Sequence, residues 1–83
     1  MHFMHKVIKA TAFPDFTLEL TFDNGVCGLV DVSPRLHGPM FEPLRDPALF
    51  QQVTVDPFGA ICWPNNADLS PDTLYADIRP LNP

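Results

Sequence analysis

The sequence predicts an α+β fold, in which two hairpins form a small antiparallel sheet and short helices pack on it. Residues 16–22 alternate apolar and polar side chains, which is the period of a half-buried strand. Turn signals at residues 23–25 and 56–59 each separate two strand-like segments. Ten prolines in 83 residues leave no room for a long helix. The predicted order is β-β-β-α-β-β-α, in one domain spanning residues 1–83.

The first hairpin follows a first strand predicted over residues 6–13. The pair Asn24-Gly25 favours a two-residue type I′ turn into a strand at residues 26–32. That register places Cys27 and Leu29 on the core face, and it sets Asp31 opposite an apolar residue unless a bulge or the sheet margin intervenes. The core face of the preceding strand is then formed by Phe16, Leu18, Leu20 and Phe22.

The second half of the chain contains two helix starts around the second hairpin. Residues 33–45 are predicted to be mostly loop, and Asp46 caps a short helix that begins with Pro47. Strands are predicted at residues 53–55 and 60–63. Ser70 then caps a C-terminal helix with Pro71 at its first position, and one face of this helix is expected to meet the core.

Charge and hydropathy limit the classes of partner. The formal net charge is −5, and the five Lys and Arg residues are dispersed, which argues against a nucleic-acid surface. The apolar runs are too short to span a bilayer, and the N-terminus lacks an apolar segment of signal-peptide length. We therefore expect a cytoplasmic protein that binds neither nucleic acid nor membrane.

A few residue types that could carry chemistry have simpler structural explanations. Cys27 and Cys62 are predicted to be reduced cysteines in the core, although a disulfide between them is geometrically possible. His37 fits a solvated loop, and Asp72 suits the N-terminus of its helix. Soft metal ligands occur at the N-terminus, where chain ends are usually mobile; they are Met1, His2, Met4 and His5. No catalytic residue, cofactor or metal site is predicted.

The segment 61–75 holds the only Trp and the only Tyr of the chain. A strand-end Trp is most often a partly buried anchor, yet Trp and Tyr are also enriched at interfaces. The segment therefore supplies a predicted interaction surface, which consists of Trp63, Asn65, Asn66, Asp68 and Tyr75.

Three stretches together resemble a bacterial family, domain of unknown function 2442. They are Leu-Glu-Leu-Thr-Phe-Asp-Asn-Gly-Val at 18–26, Gly-Pro-Met-Phe-Glu-Pro-Leu-Arg-Asp-Pro-Ala-Leu-Phe at 38–50, and Ile-Cys-Trp-Pro-Asn-Asn-Ala-Asp-Leu-Ser-Pro-Asp-Thr-Leu-Tyr at 61–75. The resemblance implies a small α+β domain on an antiparallel sheet. It also implies a genetic context like that of a regulatory or toxin–antitoxin-type pair, and it carries over no catalytic residue.

We predict a non-enzymatic interaction or regulatory module that forms a homo-oligomer or pairs with another small protein. Strand edges that need covering and the aromatic segment motivate this prediction. The alternative is a small-ligand or metal sensor that uses the region 63–75 or the N-terminal Met/His cluster. An enzyme would need His37, Cys62, Asp68 or Asp72 to converge in a pocket.

Overall fold

The computed structural model describes residues 5–81, and within them the chain forms seven strands and three short α-helices. The strands are β1 (Val7–Ala12), β2 (Thr17–Phe22), β3 (Cys27–Asp31), β4 (Thr54–Val55), β5 (Ile61–Cys62), β6 (Asp68–Leu69) and β7 (Arg79–Pro80). The helices are α1 (Gly38–Phe41), α2 (Pro47–Phe50) and α3 (Pro71–Asp77). Single 3-10 turns at Ser33–Arg35 and Glu42–Arg45 flank α1.

The strands form two antiparallel sheets, which confirms the α+β class. One sheet has the order β1-β2-β3-β7 and the other has the order β4-β5-β6. The two predicted hairpins are β2-β3 and β4-β5. The strands β6 and β7 were not predicted, because a pair of residues is too short to show an alternating pattern. None of the helices in residues 5–81 has the length and apolar character needed to cross a membrane.

The β2-β3 turn differs from the prediction. Its loop has three residues, because Phe22 N–H donates to Val26 C=O (2.8 Å) and Gly25 N–H donates back to Phe22 C=O (3.0 Å). Only Gly25 in this loop has a positive φ (+88°), whereas a type I′ turn needs two such residues. The Asn24 side chain holds the loop by accepting from Val26 N–H at 3.1 Å.

The longer loop shifts the β2-β3 register by one residue. Leu20 faces Gly28 and Thr17 faces Asp31, so the prediction that Cys27 and Leu29 lie on the core face is wrong. Such a shift moves every side chain to the opposite face of the sheet. Asp31 accordingly lies on the exposed face and not against an apolar neighbour.

The core lies between the two sheets and the helices. Leu18, Leu20 and Phe22 are fully buried on β2, as their alternation predicts. Phe16 is only partly buried, and it adopts a positive φ of 66° just before β2 begins. The other buried members of the core cluster are Val7, Val30, Val32, Leu36, Leu44, Phe50, Ile61, Trp63, Ala67, Leu69 and Leu74.

Both predicted helix caps are present. The Asp46 carboxylate accepts from Ala48 N–H (3.0 Å) at the start of α2, and the Ser70 hydroxyl accepts from Thr73 N–H (3.2 Å) at the start of α3. Residues 33–45 are more helical than predicted, since they include α1 and two 3-10 turns. The Arg45 guanidinium ties this region together by donating to the Leu36 carbonyl at 2.6 Å.

Candidate functional site

Trp63 is an interior anchor, which corrects its assignment to an exposed interaction surface. Its side chain is 3% exposed, and its ring stacks on Phe50 with centroids 5.8 Å apart. The indole Nε1 donates to the Phe50 carbonyl at 2.9 Å, so the polar tip of the ring is satisfied inside the protein. The ring therefore fastens β5 to the end of α2.

The loop that follows Trp63 is held by Asn65. The Asn65 amide donates to the Met40 carbonyl (2.9 Å), and its oxygen accepts from Ala67 N–H (3.2 Å). Asn66 is exposed and has a φ of 71°, a conformation that asparagine tolerates better than most residues. Asp68 is also exposed, in β6. Asn66 and Asp68 are thus the two members of the predicted interaction surface that are exposed.

Tyr75 faces a different neighbourhood, the N-terminus and the first hairpin. Its ring stacks on His5 with centroids 3.7 Å apart and meets Phe22 edge-on at 5.0 Å. Its hydroxyl accepts a hydrogen bond from the Asn24 amide at 3.3 Å. The structure therefore divides the predicted five-residue surface, with Tyr75 packed on the first hairpin and Asn65 tied to α1.

A surface cleft of about 430 Å³ lies beside Tyr75. Its walls come from the first hairpin and from the end of the chain that follows α3. The residues that line it are Asn24, Gly25, Val26, Cys27, Tyr75, Ile78 and Pro80. An aromatic ring, an amide and a thiol around an apolar floor suit a small, mostly apolar ligand.

Gly28 allows the C-terminal segment to form the far edge of the four-stranded sheet. A Cβ atom at this position would overlap the carbonyl group of Arg79 and lie 2.7 Å from the Ile78 Cγ1 atom. Because glycine has no Cβ, β7 can lie against β3, where Gly28 faces Pro80. This close approach also fixes one wall of the cleft.

The opposite edge of that sheet is β1, against which β4 packs without forming a hydrogen-bonded ladder in the part of the chain described. Phe13 N–H donates to Thr17 C=O at 2.9 Å, so the backbone groups of Phe13 point toward β2. Along β1, the backbone groups of successive residues point alternately toward β2 and away from it. Backbone groups of Thr11 and Lys9 therefore point toward β2, and those of Ala10 and Ala12 point away from it. Across residues 5–81, no strand is paired with that side of β1.

The β1 edge carries exposed apolar side chains at both ends. Ile8 is 61% exposed and sits at a register shift between Val7 and Lys9, and Phe13 is 37% exposed. A bulge and a lysine are devices that limit uncontrolled pairing of an edge strand. An edge that keeps outward-pointing N–H and C=O groups can still add a strand from another chain.

Several titratable side chains form hydrogen bonds or ion pairs within the protein. The Ser33 hydroxyl and backbone N–H donate to Asp31 at 2.7 and 3.0 Å, and together they hold the pKa of that carboxyl below its usual value. Arg35 forms an ion pair with Asp77, and His37 is exposed, as expected for a loop residue. The Asp72 carboxylate accepts from His5 N–H at 3.2 Å.

The two cysteines are free thiols in different sheets. Both are half-buried, so neither is the core residue that the sequence predicts. Of the residues that a catalytic interpretation would need, Cys62 and Asp68 face each other across β5 and β6. Asp72 lies in α3, and His37 lies in the loop before α1. No group of three or more metal-ligating side chains is found in residues 5–81. Met1, His2 and Met4 of the N-terminal cluster lie outside this range.

Sequence reasoning did not identify Ala10 and Ala12 as functional candidates. Small residues in a strand carry no chemical signature, and the available signal was Lys9 together with Lys6 in the first predicted strand. Which strand lies at a sheet edge depends on the pairing of all the others.

Comparison with known proteins gives a family and no activity. The family model described as "Protein of unknown function (DUF2442)" matches residues 7–80, which is nearly the whole chain. No curated protein and no solved structure matches.

Proposed function

Since the chain belongs to the DUF2442 family, whose description assigns no activity, we propose from its geometry that it is a non-enzymatic interaction module. Its contact element is the outer edge of β1, which adds a strand from another chain to the four-stranded sheet. The observation that carries this proposal is the outward direction of the Ala10 and Ala12 backbone groups.

The chemistry of the edge supports strand addition. Main-chain hydrogen bonds supply affinity in this mode of recognition, and alternate side chains supply specificity. The side chains of Ala10 and Ala12 are small and partly buried, so they do not obstruct an incoming backbone. The exposed Ile8 and Phe13 flank them and offer apolar area at either end.

The regulatory or toxin–antitoxin-like pair implied by the family resemblance fits this proposal. A small partner that contributes one strand would cover an edge that is costly to leave open. We also propose that the module is cytoplasmic, as expected from the sequence.

Replacing Ala10 with proline tests the proposal. The Ala10 N–H points away from β2, so its loss removes an edge donor without removing a bond within the sheet. The matched control, Ala10→Ser, keeps that N–H. Both variants are first checked for folding by circular dichroism, and then compared with wild type for self-association and for capture of partners from the source organism's lysate.

We expect Ala10→Pro to lose association at least tenfold and Ala10→Ser to retain it. If folded Ala10→Pro associates as wild type does, the contact element is not the β1 edge.

The cleft beside Tyr75 supports a second candidate, a small-ligand sensor. A site of about 430 Å³ is large enough for a metabolite-sized molecule. Thermal-shift screening of wild type and Tyr75→Ala separates the two functions, because a ligand of this cleft raises Tm for wild type alone. A library of metabolites and metals that leaves Tm unchanged would remove this candidate.

A further inference from the structure

The cleft beside Tyr75 presents two adjacent hydrogen-bond donors to a molecule that occupies it. The Asn24 Nδ2 atom donates one of its two hydrogens to the Tyr75 hydroxyl oxygen, 3.3 Å away. In residues 5–81, its second hydrogen and the hydrogen of the Tyr75 hydroxyl have no protein acceptor. On the premise of the small-ligand function above, we propose that the cleft binds an uncharged ligand through a carbonyl oxygen that accepts from both groups.

The orientation of the Asn24 amide follows from the loop that holds it. Its Oδ1 atom accepts from Val26 N–H at 3.1 Å, so the Nδ2 atom is the one that faces Tyr75. The Nδ2 atom and the Tyr75 oxygen lie 3.3 Å apart, and one ligand oxygen can therefore lie within hydrogen-bond distance of both. A carbonyl oxygen has two lone pairs, one for each of these donors.

The donors are held in place before a ligand arrives. The Tyr75 ring stacks on His5 with centroids 3.7 Å apart and meets Phe22 edge-on at 5.0 Å. The end of the chain is fixed against the first hairpin by Leu81 N–H, which donates to the Cys27 carbonyl at 2.9 Å. Because little has to be ordered on binding, even a small ligand can retain much of its interaction free energy.

The rest of the lining disfavours a charged ligand. Among residues 5–81, the side chains that line the cleft are all uncharged, and Val26, Ile78 and Pro80 give it an apolar wall. A carboxylate or an ammonium group would lose water there without gaining an oppositely charged partner, which is costly. The net charge of −5 opposes anions further. A volume of about 430 Å³ is large enough for a ring attached to the carbonyl group.

Three probes of nearly the same shape test the charge and the acceptor. Benzamide is uncharged and carries a carbonyl oxygen, whereas benzoate is an anion and benzamidine is a cation. Titration of isotope-labelled protein measures their dissociation constants from the amide NMR signals of Gly25, Val26 and Cys27, and the same spectra show whether a variant is folded. We expect benzamide to bind with a Kd of about 1 mM, as suits so small a molecule, and the two ions to bind at least about tenfold more weakly.

Variants of the two donors identify the contact. Asn24→Asp keeps an oxygen that accepts from Val26 N–H, but its second oxygen accepts the Tyr75 hydroxyl hydrogen and adds a negative charge. We therefore expect this variant to lose benzamide and to prefer benzamidine by at least about tenfold. Tyr75→Phe keeps the ring and removes one donor, so its affinity for benzamide should fall about three- to tenfold. Thr54→Val is the matched control, because it removes a hydroxyl group from β4, outside the cleft, and should bind benzamide as wild type does.

Three results would overturn this assignment: benzamide leaves the three amide signals unchanged, either ion binds as tightly as benzamide, or folded Asn24→Asp or Tyr75→Phe binds benzamide as wild type does. Failure of the sensor function is a separate result, in which no member of the metabolite and metal library raises Tm for wild type. A charged library member that raises Tm for wild type and not for Tyr75→Ala would support the sensor and overturn the uncharged carbonyl ligand.

Discussion

Replacing Trp63 with alanine should cost about 3–5 kcal/mol of folding free energy, the usual range for a buried Trp. The ring is 3% exposed and stacks on Phe50, and its Nε1 donor satisfies the Phe50 carbonyl. At about 0.05–0.15 kcal/mol per residue, the whole chain has roughly 4–12 kcal/mol of stability. Trp63→Ala therefore removes a large part of it.

Two further variants separate the contributions. Trp63→Phe keeps most of the apolar ring but leaves the Phe50 carbonyl without its donor, which should cost about 1–3 kcal/mol. Phe58→Ala is the surface control, because Phe58 is 67% exposed. We expect it to change stability by no more than about 0.5 kcal/mol.

Urea unfolding followed by far-ultraviolet circular dichroism measures these differences without relying on the fluorescence of the replaced ring. With a slope of about 1 kcal/mol per molar urea, Trp63→Ala should lower the midpoint by about 3 M or unfold the chain outright. A Trp63→Ala variant within about 1 kcal/mol of wild type would refute the assignment of this ring as an interior anchor.

Further predictions concern the close packing of Gly28 against Arg79, the helix cap at Ser70 and the carboxylate of Asp31. Gly28→Ala should cost about 1–3 kcal/mol in thermal or urea unfolding, since its Cβ would overlap the Arg79 carbonyl; an unchanged stability would contradict this packing. Ser70→Ala should cost about 1 kcal/mol by losing the bond from Thr73 N–H, whereas a neutral result would show that the cap is dispensable. Asp31 has a lowered folded-state pKa, so its stabilisation is present above its unfolded pKa and is lost as pH falls through the folded one. Asp31→Asn should therefore destabilise at neutral pH and converge with wild type in acid; a constant difference would contradict the assignment.

Much of the fold could be predicted from local patterns. The alternation around Leu20 gave β2 and its buried face, and the caps at Asp46 and Ser70 gave α2 and α3. Each of these signals acts within a few residues, where periodicity or a side-chain oxygen decides the outcome. The hairpin register could not be predicted as reliably, because Asn24-Gly25 also fits a three-residue loop with glycine at the positive-φ position.

The candidate sites depended on long-range pairing and were harder to predict. Tyr75 was identified as an aromatic contact residue, but its neighbour His5 is far away in sequence. Trp63 satisfies its donor through Phe50, a contact that no local pattern shows. The outward direction of the Ala10 backbone N–H and C=O groups can be inferred only when the strand order is known.

Residue-resolved hydrogen exchange of β1 tests the claim that this edge is a contact element most directly. The Thr11 N–H bonds within the sheet and should be protected at every protein concentration. We predict that the Ala10 and Ala12 N–H groups exchange rapidly in the free protein and become protected when a partner strand binds to the edge. Rapid exchange of both alanine N–H groups while the protein is bound to its partner would contradict the claim that this edge is the contact element.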